Sequence, residues 1–320
     1  MKMPDWDAVI IGGGPAGLTA AIYLGRFRRQ ALVIDDGTGR AERIPKTHNH
    51  PGFPGGIEGD TLVARIREQA AEYGANFLKA CVTDLKREDA GFLLETSQGE
   101  IRAPFVILAS GSKDNDPALP GVESAVDRGL IRLCPICDAY EVIGKRIGIL
   151  GNGPKGVREA QFLTTYSDDV TLIHLDPENP LSPDDKSTLE REGIALMESV
   201  IDAVHIENDA IEAFDIGGEE HRFDVIYGAL GLTPRSELAH RAGAATTDDA
   251  CMKVNAHQET SVSGLYAAGD LVLGLNQISI AQAEGAIAAT DIHNKLRAME
   301  REDGRIREPL PDECPPQKAG

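Results

Sequence analysis

Residues 7–27 read DAVIIGGGPAGLTAAIYLGRF, and they decide the fold. The short β-branched run at 8–11 predicts a buried strand. It enters Gly12-x-Gly14-x-x-Gly17 directly, and an alanine-rich stretch of helical pattern follows. The segment ALVIDD at 31–36 predicts a second buried strand, ending in Asp35, 23 residues after Gly12. Strand, glycine turn, helix, strand and acid together form a dinucleotide-binding unit. The glycines let the backbone approach a pyrophosphate at a helix N-terminus, and the acid bonds a ribose hydroxyl.

The unit recurs about 140 residues later in RIGILGNGPKGVREAQFL, residues 146–163. A strand at 147–150 runs into Gly151-x-Gly153-x-x-Gly156 and then a helical pattern. Here the acid's position, 23 residues past Gly151, is taken by His174. Two such units predict an α/β protein with two Rossmann-like three-layer nucleotide-binding domains, one inserted in the other. Polar crossing points are expected at DNDPALPG, residues 114–121, and at HRAGAATTDD, residues 240–249. The outer domain then takes residues 1–115 and 246–300, the inserted domain 116–245, and 301–320 form a flexible Pro-rich tail. FVILASGS at 105–112 and SGLYAAGDLV at 263–272 supply further strand-and-turn pieces of the outer domain. The second ends in Asp270, placed either to bond a polyol hydroxyl or to cap the following helix.

At 320 residues with a formal charge of −19, the chain is acidic, which opposes binding to nucleic acid or an anionic membrane. The apolar run at 8–24 is broken by three glycines and a proline and preceded by Asp5 and Asp7. It is therefore neither a signal peptide nor a span, and a cytoplasmic protein is expected.

Five cysteines do not make a disulfide framework. Cys134-Pro-Ile-Cys137-Asp138 is the one C-x-x-C. Zinc wants four ligands, and neither a second pair nor a nearby histidine exists, so no metal site is expected. A two-residue spacer lets both sulfurs close and reopen a small ring, which makes this a redox dithiol. Pro135 marks the first turn of a helix whose N-terminus is expected to lower the thiol pKa. Cys81 and Cys251 read as ordinary residues. Cys314, in the tail, is a spectator or an electron relay.

From residue 6 to about 297 the chain resembles the low-molecular-weight thioredoxin reductase family of FAD-dependent pyridine nucleotide-disulfide oxidoreductases. The carriers are GGGPAGLTAAIYLGR, HPGFPGGIEGDTL, FVILASG, CPICD, the second glycine unit with VTLIH, GALGLTP and SGLYAAGD. The resemblance implies a homodimer, FAD in the outer domain and a nicotinamide nucleotide in the inserted one. It implies that Gly12, Gly14, Pro15, Ala16 and Gly17 line the FAD pyrophosphate, that Asp35 holds the adenosine ribose and that Asp270 holds the ribityl chain. Gln277 and Ile278 would lie along the isoalloxazine. Cys137 would face the flavin, Cys134 would exchange with substrate, and Asp138 would be the acid/base. The substrate would be a thioredoxin-like protein or a small dithiol or disulfide.

One feature of the family is missing. The arginines that receive the NADPH 2′-phosphate should follow His174, but the chain reads LIHLDPENPLSPDD, residues 172–185. Leu175 and Asp176 stand in their place, which disfavours NADPH. Either Asp176 bonds a free ribose hydroxyl, making NADH the donor, or the inserted domain has lost nicotinamide use. Similar relatives include dithiol oxidases that pass electrons from a small dithiol through FAD to oxygen, and ferredoxin-linked reductases. A non-catalytic flavin redox sensor is the remaining class, disfavoured by the intact Asp138. RIPKTHNHPGFPGG, residues 43–56, corresponds to a histidine loop of the oxidases, so His48 or His50 is a candidate base near flavin or substrate; loop histidines bonded to backbone are the alternative.

Overall fold

The computed structural model describes residues 6–126 and 128–304, so Cys314 and most of the expected tail lie outside the described residues. Five parallel strands form the first sheet, in the order Leu265–Ala267, Phe105–Leu108, Ala8–Ile11, Ala31–Asp35, Asn76–Lys79. Their apolar runs are continuous because both faces are covered. Alternate side chains go to opposite faces. Ala8 and Ile10 pack with helices Pro15–Arg26 and Ile278–Glu302, while Val9 and Ile11 pack toward the antiparallel sheet Val82–Glu88, Gly91–Thr96, Gly99–Ala103. Each fully buried residue such as Ile10 or Leu18 contributes about 1.5–3 kcal/mol.

The second sheet is also parallel, in the order Ala195–Met197, Val170–His174, Ile147–Gly151, Val225–Ala229. Ile147 and Ile149 meet Val157, Ala160 and Leu163 of helix Gly153–Leu163. Leu150 meets Ile201, Ile211 and Phe214 of the antiparallel strands on the other face. Both units are thus three-layered.

Strand Leu265–Ala267 follows the whole second sheet in sequence yet pairs with Phe105–Leu108 of the first. The chain leaves and returns through an antiparallel pair, Ser112–Asp114 with Leu232–Pro234. The return therefore precedes the stretch 240–249 read from sequence. Helix Glu237–Arg241 already belongs to the first unit, where Ala239 and Ala244 pack beneath the sheet. The last helix extends to Glu302, two residues into the expected tail. That helix lies close to Pro15–Arg26: a Cβ on Gly285 would collide with the carbonyl oxygen of Ala16.

Candidate active site

A cavity of about 590 Å³ opens at the C-terminal ends of the first sheet's strands. Gly12, Gly14, Pro15, Ala16, Asp35, Asp270, Gln277 and Ile278 all line it. Gly12 has φ +115°, and a side chain there would strike the carbonyl of Ala109, so only glycine makes this turn. Nothing lies within 4 Å of where a Gly14 Cβ would sit, so its backbone faces open space. Gly17 does not line the cavity; it packs against Gly12, which keeps helix and strand close.

Two carboxylates mark the cavity's ends. Asp35 accepts from the Gly37 N–H at 3.3 Å and lies 3.6 Å from Arg67. Asp270 pairs with Arg40 at 3.1 Å, and Arg40 also holds the buried Asp114 at 2.9 Å. Burial pushes the Asp270 carboxyl above its ordinary range, and Arg40 opposes that. The next helix begins only at Ile278, with Gln277 as its N-cap, so Asp270 does not cap it. Arg40 was not picked out from sequence; a lone arginine in a polar loop carries no signal of its own.

Cys134 and Cys137 form a disulfide, with Cα atoms 5.2 Å apart, and Cys137 lines the same cavity. The helix beginning at Pro135 is a single turn, Pro135–Asp138, followed by a 3-10 turn at Ala139–Val142. Its dipole is correspondingly small, and the expected depression of thiol pKa by a helix N-terminus lacks a long helix to supply it. The Gln277 side chain leaves the helix N-terminus uncapped and reaches the sulfurs instead. Its Nε2 lies 3.5 Å from Cys134 Sγ and 3.7 Å from Cys137 Sγ.

Asp138, which does not line the cavity, is held by two donors. Tyr227 Oη donates to Oδ1 at 2.7 Å and Arg132 to Oδ2 at 2.9 Å. Burial still raises the carboxyl above its ordinary range against both. Both donors arrive together because residue 132 runs beside strand Val225–Ala229: the Arg132 N–H donates to Ile226 O at 2.8 Å, and the Gly228 N–H to Arg132 O at 2.8 Å.

A glycine-lined cavity, paired acids at its ends and a disulfide at its wall match a known constellation. The profile described as pyridine nucleotide-disulphide oxidoreductase matches residues 6–285. The chain belongs to this family. It is 34% identical over 299 residues to the thioredoxin reductase of Mycolicibacterium smegmatis, covering 89% of this chain and 94% of that one. The Bacillus subtilis (strain 168) thioredoxin reductase is 28% identical over 306 residues, covering 92% and 96%. The crystal structure of HlmI has a TM-score of 0.86 at 25% identity, covering 93% of this chain and 95% of that one. The protein is a thioredoxin reductase-like flavoprotein disulfide oxidoreductase.

Membership in the pyridine nucleotide-disulphide oxidoreductases implies FAD. The residues fit it: the Gly12 turn is one a side chain would fill, Gly14 is open, and the carboxylates of Asp35 and Asp270 line the same cavity.

His48 does not line the cavity; its Nδ1 sits 3.6 Å from Glu141, just after the cysteine pair. His50 stacks on Phe53 and lies 3.4 Å from the Ser279 hydroxyl, and burial holds its pKa down. Asn49, between them, is the residue that reaches the cavity. Cys81 also lines it, as a free and exposed thiol.

A second cavity, of about 390 Å³, opens at the other glycine turn, lined by Asn152, His174, Leu175 and Ser199 among others. Among the described residues, no arginine or lysine lines it. His174 is 1% exposed, with Nε2 bonded to the Asn179 carbonyl at 3.1 Å. Asp176 is tied up by Asn179, whose Nδ2 reaches its two oxygens at 3.1 and 3.0 Å. Among the described residues, no helix is long and apolar enough to cross a membrane.

Proposed function

We propose that the protein catalyses dithiol–disulfide exchange through Cys134 and Cys137 beside FAD held in the first cavity, and that NADPH is not its electron source. One observation carries this reading: Cys137 of the second unit lines the cavity built by the first unit's glycine turn. Gly12, Gly14, Pro15 and Ala16 would hold the pyrophosphate with Gly17 packing beneath them. Asp35 would hold the ribose, Asp270 the ribityl chain, and Gln277 and Ile278 would flank the ring. FAD, when bound, supplies a two-electron store next to Cys137.

A substrate thiolate attacks Cys134 Sγ, the S–S bond breaks, and Cys137 leaves with the electron pair. The second substrate thiolate attacks the mixed disulfide, closing the substrate's disulfide and releasing Cys134. Asp138, raised by burial, takes and returns the proton. The reverse sequence reduces a disulfide.

The second cavity supports the exclusion of NADPH, because a 2′-phosphate there would meet no arginine or lysine among the described lining residues. Asp176, engaged with Asn179, is not offered to a ribose either, which turns the reading away from NADH. Both observations favour the oxidase direction, in which a substrate dithiol brings the electrons and oxygen takes them from FAD. The substrate is a small dithiol or a thioredoxin-like protein, and the protein acts as a cytoplasmic homodimer; these points rest on family membership.

The test is trapping. When Cys137→Ser is given the substrate in its disulfide form, the Cys134 thiolate should attack it, release one substrate thiolate and hold the rest as a mixed disulfide seen by intact mass, and Cys134→Ser should hold none. Undiminished turnover in both variants would sink the reading.

A further inference from the structure

The orientation of a side-chain amide is usually open, since its oxygen and nitrogen have the same shape. At the cysteine pair one contact closes the question. The backbone carbonyl of Ile136, inside the C-x-x-C, only accepts hydrogen bonds. The Asn49 side chain meets it at 3.2 Å, so the atom facing it is the donor Nδ2. That same Nδ2 donates to Gln277 Oε1 at 2.9 Å. The other end of Asn49 accepts from the buried Thr47 hydroxyl at 3.0 Å. With its oxygen engaged by Asn49, Gln277 presents Nε2 to the sulfurs, and Cys134 Sγ is the nearer at 3.5 Å. Nε2 also reaches Cys137 Sγ at 3.7 Å, so the donor end of the amide faces both sulfurs and lies nearer to Cys134.

We propose that Gln277, held in this orientation by Asn49 as a positioning residue, is the hydrogen-bond donor that keeps Cys134 as a thiolate once the disulfide is opened. The proposal rests on the dithiol reading of the site and assigns the charge within it. Two-electron reduction by a substrate dithiol breaks the S–S bond, closes the substrate's own disulfide, leaves a thiol on Cys137 and a thiolate on Cys134, and releases one proton. A donor beside an anionic sulfur makes a charge-assisted hydrogen bond, stronger than the one it makes to the neutral disulfide. The one-turn helix at Pro135–Asp138 gives little such help, so the amide is the local group suited to the task. Because Nε2 lies nearer Cys134 Sγ than Cys137 Sγ, its stabilisation falls chiefly on Cys134. The thiolate is thus on the sulfur that exchanges with substrate.

The charged groups facing the pair are Asp138 with its partner Arg132, Glu141 with its partner His48, and His50 against Ser279. Uncharged variants leave all of these in place. The experiment reduces the FAD-loaded protein with excess dithiothreitol, removes the reductant anaerobically, and follows iodoacetamide labelling against pH, with the labelled cysteine identified by mass spectrometry. Wild-type Cys134 should label with a midpoint below the ordinary thiol value of about 8.5. Gln277→Leu should move the midpoint up by about one unit, a tenfold loss of thiolate at lower pH. Asn49→Ala should shift it the same way, and adding it to Gln277→Leu should do nothing more. Unchanged midpoints in both single variants, or shifts that add, would overturn the proposal. Retained flavin absorbance shows that each variant is folded. If wild-type Cys134 and Cys137 do not open with dithiothreitol at all, the dithiol reading itself fails; if they open and the midpoints stay put, only this inference does.

Discussion

Tyr227 and Asp138 stand 89 residues apart in sequence and 2.7 Å apart in space, phenol to carboxylate. Tyr227 is fully buried in the second sheet, so Asp138 is anchored to a rigid strand rather than to the cysteine loop alone. The arrangement sets the pH range in which Asp138 works. Burial is the largest influence and raises its carboxyl; the Tyr227 hydrogen bond and the Arg132 charge lower it, and Glu141 raises it. Tyr227→Phe deletes a lowering influence, so the titration moves up. The pH below which exchange fails for want of the carboxylate should rise by on the order of one unit, the worth of a hydrogen bond to a charged group. Arg132→Leu should move it the same way. A pH profile of thiol–disulfide exchange checks this, and an unmoved acid limb in both variants would contradict it.

Arg40 has a different task, neutralising Asp114 and Asp270 at one end of the cavity. Arg40→Leu leaves the buried Asp114 to Arg43, 3.6 Å away, and removes the ion pair of the partly buried Asp270. The cost should fall below the roughly 3–5 kcal/mol of breaking a fully buried pair, because Arg40 is partly exposed. Flavin retention on ultrafiltration should drop. The sign with pH follows from Asp270: losing Arg40 raises its carboxyl further, so acid protonates it and narrows the deficit. A deficit that widens as pH falls would contradict the assignment.

Gly285 tests how the helix that carries Gln277 is seated. A side chain there would meet the Ala16 and Ala20 backbone, which cannot yield as a flexible side chain could. Gly285→Val should lower stability by about 1–3 kcal/mol through overpacking. It should also loosen flavin, since Ala16 and Ile278 line the cavity from the two helices. Thermal melts with flavin release as a second signal would show both; a neutral substitution would mean the helices separate freely.

The first nucleotide unit was legible because its requirements are local. Strand period, a glycine at φ +115° and an acid at the next strand end all lie within about thirty residues. The cysteine pair was legible for the same reason. The groups that tune it were not. Arg132 and Tyr227 meet only because residue 132 bridges to strand Val225–Ala229, and no local pattern announces that. In the histidine loop, titratable side chains drew the reading to His48, whereas the backbone turn delivers Asn49 to the cavity and leaves His48 on Glu141. The pairing of Leu232–Pro234 with Ser112–Asp114 was not legible, because a three-residue strand has no local pattern that sets it apart from its surroundings.

The account turns on where the electrons come from. The most direct measurement is an anaerobic titration of the FAD-loaded protein, following flavin absorbance after one equivalent of NADPH, NADH or a small dithiol. The predicted result is bleaching by the dithiol, dependent on Cys134 and Cys137, with no fast bleaching by either nucleotide. Fast, stoichiometric bleaching by NADPH would contradict it.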